Sequence, residues 1–258
     1  MIDSDEFPQV APNPAYGAGC FRRRIRLQGS PGAVEVDMED DYHAFRLRIG
    51  HDGRHLQAVS ARSLRVPTDA CPEAPALLQA FLGIGIGCDR RRFRGHANPR
   101  LHCTHLHDLL WLALNHACRG TTTRHYDVEI GDAQGGVSQL VVRLDGQPLL
   151  HWAGRDAVLV APAEYQGHPL GEGFSRWVAE VLVGDALEGA YVLQICALIA
   201  TARRFDVDQL RSLRRDPVKA LRGACHAFQP EAAARAIPRI GNTRDFSQVP
   251  EELLLFRQ

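Results

Sequence analysis

Alternation of apolar and polar positions with a period of two dominates the first third of the chain. Phe45, Leu47 and Ile49 alternate with Arg46 and Arg48, Asp52-Gly53 turns the chain, and Leu56, Ala58 and Ser60 resume the pattern. A period of two places alternate side chains on opposite faces of a strand, so this stretch predicts a hairpin. Residues 33–38 (AVEVDM) alternate in the same way and predict a strand before it. Residues 21–28 (FRRRIRLQ) predict another, with its arginines solvated. Val66-Pro67 ends the second arm of the hairpin.

The period then changes. Asp69 is a candidate cap and Pro72 a first-turn proline for a helix over about 72–82, which runs into Gly83, Gly85 and Gly87. Residues 89–95 (DRRRFRG) read as an exposed connection. Leu106, Leu109, Leu110, Ala113, Leu114 and Ala117 give a helix from near Thr104 a broad apolar face, stopping at Arg119-Gly120. Strands are predicted at 126–130, 139–144, 148–152 and 158–160, with Asp145-Gly146 as a two-residue hairpin turn. The rest reads as mostly helical: a short helix at 174–183, a longer one at 186–203 with Asp185 as its cap, and a weak one at 206–213. Residues 223–230 read as a separate irregular or extended segment. The predicted fold is α+β, an antiparallel sheet with helices packed on it. It divides into an irregular arm over 1–20, a half over 21–120 carrying the site, and a half over 121–258 that is strand-rich, then helical, and covers it. One continuous domain is the alternative.

Composition narrows the function. The 258 residues carry 30 basic and 30 acidic side chains, so the formal net charge is zero. That argues against a nucleic-acid binder, which would carry a basic face. No run of 18 uninterrupted apolar residues occurs, and the acidic start MIDSDEF lacks the apolar stretch of a signal peptide, so a soluble cytoplasmic protein without a membrane partner is expected. Lys219 is the only lysine, which confines any lysine nucleophile to that position. The glycine run at 83–87 is not followed by a helix with phosphate-loop spacing, so no nucleotide cofactor is expected. Seven widely spaced cysteines argue against a disulfide framework. Cys118 and Cys196, in apolar helical patterns, read as core fillers.

Four places concentrate reactive side chains: Glu39-Asp40-Asp41-Tyr42-His43, Cys71-Pro72, His102-Cys103-Thr104-His105-Leu106-His107-Asp108, and Cys225-His226. Cys71 and Cys103 lie at predicted helix starts, where free amides and the helix dipole favour a thiolate. A histidine two residues after Cys103 would let nitrogen and sulfur share a zinc or iron ion. The plainer readings stand beside these: Thr104 to Asp108 as a capped first turn, His102 and His107 as solvated residues, Asp40 and Asp41 as the end of an edge strand.

The runs DDYHAFRLRIGHDGRHLQAV, DACPEAPALLQAFLGIGIG and NPRLHCTHLHDLLWLA resemble the bacterial family called domain of unknown function 2889. His43, Cys71-Pro72 and Cys103-Thr104-His105-Leu106 carry the resemblance, and RHYDVEI, GACHAFQP and GNTRDF extend it. It implies a catabolic enzyme, because such proteins occur in bacteria that degrade aromatic compounds. The order of hairpin, cysteine at a helix start, and Leu101-His102-Cys103-Thr104 is also distantly similar to iron–sulfur cluster assembly scaffolds. Cys71 and Cys103 match two of the three ligand places of those scaffolds, and Asp41 and His43 stand at the third. That replacement implies a single zinc or iron ion, or no metal, rather than a cluster.

The expected function is therefore a lyase (including decarboxylase) or hydrolase acting on a small aromatic or apolar acid, with arginines near the mouth of the site holding the carboxylate. His43, His105, Cys103 and Asp108 are the candidate catalytic residues. Asp41, Tyr42 and Cys225 are the candidate substrate contacts. His43, Cys71, Cys103 and His105 would hold a metal if one binds. The competing classes are a sulfur or iron–sulfur carrier using Cys71, Cys103 and Cys225, and a non-catalytic binding module. A homodimer is left open.

Overall fold

The computed structural model describes residues 10–210 and 222–256. Lys219, the end of the helix expected over 206–213 and the first part of the arm expected over 1–20 lie outside those residues. Eight strands form one antiparallel sheet: β1 (Cys20–Ser30), β2 (Ala33–Asp40), β3 (Ala44–His51), β4 (Leu56–Arg65), β5 (Thr123–Gly131), β6 (Ser138–Leu144), β7 (Gln147–Arg155) and β8 (Val158–Ala161). Their order in space is β4-β3-β2-β1-β5-β6-β7-β8. The fold is α+β, and the sheet runs without a break from the first half of the chain into the second through the pairing of β1 with β5.

The two faces of the sheet differ as the alternation requires. Phe21, Ile25 and Leu27 of β1, Val34, Val36 and Met38 of β2, and Phe45, Leu47 and Ile49 of β3 are buried on one face. On the other, Arg22 pairs with Glu129, Arg24 with Asp127, and Arg26 and Arg46 with Asp37. Such cross-strand charges contribute a few tenths of a kcal/mol each and keep the face wet. Helices cover the apolar face. α2 (Thr104–His116) lies against β1, β2 and β3, and α4 (Gly184–Ala200) against β1, β5, β6 and β7. The two meet where Trp111 packs edge-on to Tyr191, their ring centroids 5.6 Å apart. α4 and the turn after it, Gly184–Arg204, are long and apolar enough to cross a membrane by length and composition; here that stretch lies along the sheet. Shorter helices complete the chain: α1 (Arg90–His96), α3 (Phe174–Val181) and α5 (Pro230–Arg235).

Several local expectations change. The segment expected as a helix over 72–82 is a 3-10 helix, Cys71–Phe81. Pro75 lies inside it, and a proline there has no N–H for an α-helical bond. Asp69 does not cap it; its carboxylate instead accepts from the Ile237 amide at 2.7 Å. Asp185 does not cap α4 either, but sits in its first turn and pairs with Arg124 at 2.6 Å. Residues 89–95 are largely α1 rather than an exposed connection. Asp89 accepts from the Arg92 amide as its cap, and Phe93 buries itself on Phe81 at 4.8 Å. His102 and His107 are buried, whereas Cys118 is exposed; Cys196 is buried as expected.

Gly29 shows how closely the β1 end is packed. A methyl group at this position would lie 1.9 Å from the carbonyl oxygen of Gly120, a backbone atom that cannot swing away. Gly29→Ala is therefore expected to destabilise the protein by about 3 kcal/mol, the upper end of overpacking costs, measured as a lowered midpoint in urea denaturation.

Candidate functional site

The site begins at the turn between β2 and β3. Arg23 of β1 and Asp40 of β2 are register partners on the helix-covered face. Burial alone would raise the Asp40 carboxyl, but the Arg23 guanidinium, helped by His43, overrides it and holds the group well below the usual carboxylate range. Arg23 Nε donates to Asp40 Oδ2 at 2.9 Å, and Arg23 Nη2 donates to the same oxygen. Asp40 Oδ1 accepts from the amides of Tyr42 and His43 at 2.8 and 2.7 Å and from His43 Nδ1 at 3.1 Å. An ionised carboxylate only accepts, so His43 carries a proton on Nδ1, and in the neutral ring the lone pair is on Nε2. An Asp–His pair of this kind fixes both the tautomer and the orientation of a base.

His105 stacks against His43 from the first turn of α2, the ring centroids 4.0 Å apart and tilted by 34°. Phe45 lies beside both rings. Burial first, and then the neighbouring His43 and Arg23, push His105 well below the ordinary imidazole range, so it is neutral. Its Nδ1 lies 3.9 Å from Cys103 Sγ, and its Nε2 is buried without a hydrogen-bond partner.

These groups open on a cavity of about 250 Å³. Tyr42, His43, Phe45, Cys71, Cys103, His105 and Cys225 all line it, so residues from four distant sequence segments converge. Ile195, Leu198, Ile199 and Ala202, at the end of α4 and in the turn after it, close one side; Ala227 and Phe228 close another. The approach of the C-terminal segment is fixed by the His226 amide, which donates to the His102 carbonyl at 3.0 Å. The lining is largely apolar. Arg239 also lines the cavity, is exposed, and has no ion pair among the described residues. Its backbone amide bonds the Pro67 carbonyl at 2.8 Å.

Two expected site residues lie elsewhere. Asp41 is fully buried and does not reach the cavity; its carboxylate is held by Arg203 Nη1 at 2.9 Å. Arg203 also binds Asp132 and Asp245, so Asp41 belongs to a structural hub beneath the β2–β3 turn. Asp108 points away from the large cavity and pairs with Arg90 at 2.8 Å. Arg90, beside Trp111 and Tyr191, sits in a charged run that reads as solvent-facing, which is why sequence reasoning missed it. Asp40 and Arg23 were missed as a pair because only strand register brings them together.

The expected activation of the thiols is not found. Burial pushes Cys71 up and pushes Cys225 up to about 11. Burial, reinforced by Cys225, pushes Cys103 up as well. All three are protonated thiols, because desolvation outweighs any pull of a helix start. The proposed metal set is not assembled either. Among the described residues, the ligand-type atoms that lie within 4.8 Å of one another belong to Asp40, His43 and His105; Cys71 and Cys103 stand outside that group. Asp40 already receives five N–H contacts, and the Arg23 cation lies against it. A divalent ion would have to displace those donors, so this donor set does not fit a metal.

No protein-family model, curated protein or solved structure matches the chain.

Two outcomes follow from the site's electrostatics. Arg23→Leu leaves Asp40 buried without its cation and is expected to cost about 3–5 kcal/mol; pairing it with Asp40→Asn should recover a large part of the loss in urea denaturation. His105 sets an acid limit. Unfolded, its imidazole takes a proton near pH ~6.5, while the folded ring resists protonation, so the unfolded state binds more protons and stability falls as pH drops below that value. Burial gives His102 and His116 the same sign. His105→Gln is expected to make stability between neutral and mildly acidic pH shallower by up to about 1.4 kcal/mol per pH unit, read from denaturation at a series of pH values.

Proposed function

We propose that the protein is an enzyme of the lyase or hydrolase type that binds a small apolar or aromatic acid in the large cavity and uses His43 as its general base. The observation that carries this reading is the Asp40–His43 pair opening on a cavity that is otherwise mainly apolar. Apolar pockets with a few convergent polar groups are the usual form of small-molecule sites. A cavity of about 150 Å³ admits benzene, so 250 Å³ suits a substituted or bicyclic aromatic.

Asp40 holds Nδ1–H of His43, so Nε2 takes the proton. That proton comes from carbon in a lyase and from an attacking water in a hydrolase. Neutral His105 stacks on the base without competing for charge. Arg239, the arginine on the lining, is the anchor for the carboxylate, since a guanidinium with no ion pair among the described residues binds a carboxylate through charge-assisted bonds. Arg239 is exposed and His43 is buried, so the acid group sits at the open end and the apolar body reaches the base. That orientation favours chemistry on the body over loss of the carboxyl group. The carrier reading has less support, because the cavity's three thiols are protonated and do not form one tight ligand group.

A panel of aromatic and alicyclic carboxylic acids, screened by thermal shift and followed for product by mass spectrometry, tests the proposal. An acid that raises the melting temperature and is turned over is expected. With it, His43→Gln should keep the thermal shift while the rate falls about 10²–10⁴-fold, and Arg239→Gln should weaken binding about tenfold or more. Binding without turnover in the wild type would make the protein a binding module.

A further inference from the structure

Beside the large cavity lies a second one of about 20 Å³, the room one water molecule needs. Its charged and imidazole lining residues are Arg23, Arg90, His105 and Asp108, and Trp111 and Tyr191 line it too, with their own polar atoms bonded to backbone carbonyls. Two of these present buried atoms that no protein group satisfies, His105 Nε2 and Arg90 Nε. His105 is 6% exposed and Arg90 is 7% exposed, so bulk water does not solve the problem for either. Arg90 Nη2 is already committed to Asp108 Oδ1 at 2.8 Å. Buried polar atoms almost always find a partner, and here two unsatisfied ones and a carboxylate face one small space.

We infer that this cavity binds one structural water, which accepts from Arg90 Nε–H and His105 Nε2–H and donates to the Asp108 carboxylate. Three polar partners are what a buried water requires. The hydrogen-bond directions follow from the chemistry on each side of His105. On the Nδ1 side stands the Cys103 sulfur, 3.9 Å away, carried by a protonated thiol. A thiol is both a weak donor and a weak acceptor, so this side imposes little and the Nε2 side decides the tautomer, leaving the Nδ1 lone pair free to accept the S–H. On the Nε2 side the chain of bonds ends at a carboxylate, which draws the ring proton toward it. Burial would raise Asp108, but the Arg90 pair overrides it and lowers the group, so an anion stands at that end.

The water thereby makes Arg90 and Asp108 positioning residues for His105. It orients the ring, sets the Nε2–H tautomer, and leaves the Nδ1 lone pair beside the Cys103 thiol on the wall of the large cavity. Asp108, water, His105 and Cys103 form one ordered chain. It meets the Asp40–His43 pair through the stacked rings of His43 and His105, and it does not depend on which substrate the large cavity takes.

The test needs no substrate, so its failure is distinct from failure of the functional proposal. Full-length wild-type protein labelled with nitrogen-15 is used, and His105 is assigned from the signal that disappears in His105→Gln. Two-bond proton–nitrogen correlations at neutral pH are expected to show a protonated Nε2 and an unprotonated Nδ1. A high-resolution crystal structure is expected to show a water within hydrogen-bond distance of His105 Nε2, Arg90 Nε and Asp108. Arg90→Lys keeps the positive charge without an Nε–H and is expected to lose that water; Asp108→Asn is expected to mix the two tautomers. Should either variant fail to fold, the two wild-type measurements still decide the matter. A protonated Nδ1 in the wild type, or no water touching both His105 Nε2 and Arg90 Nε, overturns the inference.

Discussion

The buried carboxylate of Asp40, cut off from solvent at the end of β2, is the constraint around which this structure is arranged. Leaving it unpaired would cost several kcal/mol, a large share of what holds a domain of this size together. The structure answers with five N–H contacts, two from the neighbouring strand and three from the turn that follows. Arg23 ties Asp40 to the neighbouring strand, and the amides of Tyr42 and His43 fold the turn over it. Meeting that demand fixes the tautomer of His43 and aims its free nitrogen. The orientation of His43 is thus a by-product of burying a charge properly.

The chemistry around His43 is quiet because of its surroundings. His105 is neutral, the nearby thiols are protonated, and the cations Arg23 and Arg90 are each neutralised by an acid. Behind His43 and His105 on the wall of the large cavity lies a polar layer whose charges are already balanced, while most of the remaining lining is apolar. The lining presents the His43 ring, mainly apolar side chains, and Arg239, which has no ion pair among the described residues. Contrast between balanced and unbalanced groups, more than the number of reactive side chains, defines what the site can do.

Much of this was legible in the sequence. Period-two alternation located the strands to within a few residues, and Asp145-Gly146 turned as expected, with both residues at positive φ. The convergence of His43, Cys71, Cys103 and His105 on one cavity was readable from their places at strand and helix ends. Thiol reactivity was not, because it depends on desolvation, and the Cys103 position alone does not reveal that α4 and the 224–228 segment close over it. The role of Asp40 over its neighbour Asp41 was equally hidden: adjacent acids differ only in which face of a strand end they take, and register with Arg23 decides it. α1 was missed because a run of arginines looks solvated until Trp111, Tyr191 and Asp108 supply a place for one of them.

The strand order carries a consequence for how the molecule assembles. β1 to β4 and β5 to β8 are each simple meanders in which every strand pairs with its sequence neighbour. The sheet is joined only where β1 meets β5, a contact such as Arg24 with Asp127 that spans 103 positions. Local meanders form quickly, while closing so long a loop is slow and entropically costly. α4 rests on strands from both sides of that seam, so it has its full seat only after the seam has closed. The large cavity, which α4 helps to wall, is then among the last features to appear. A ligand that needs that wall recognises the completed fold alone, and each bound molecule draws the population toward it by mass action.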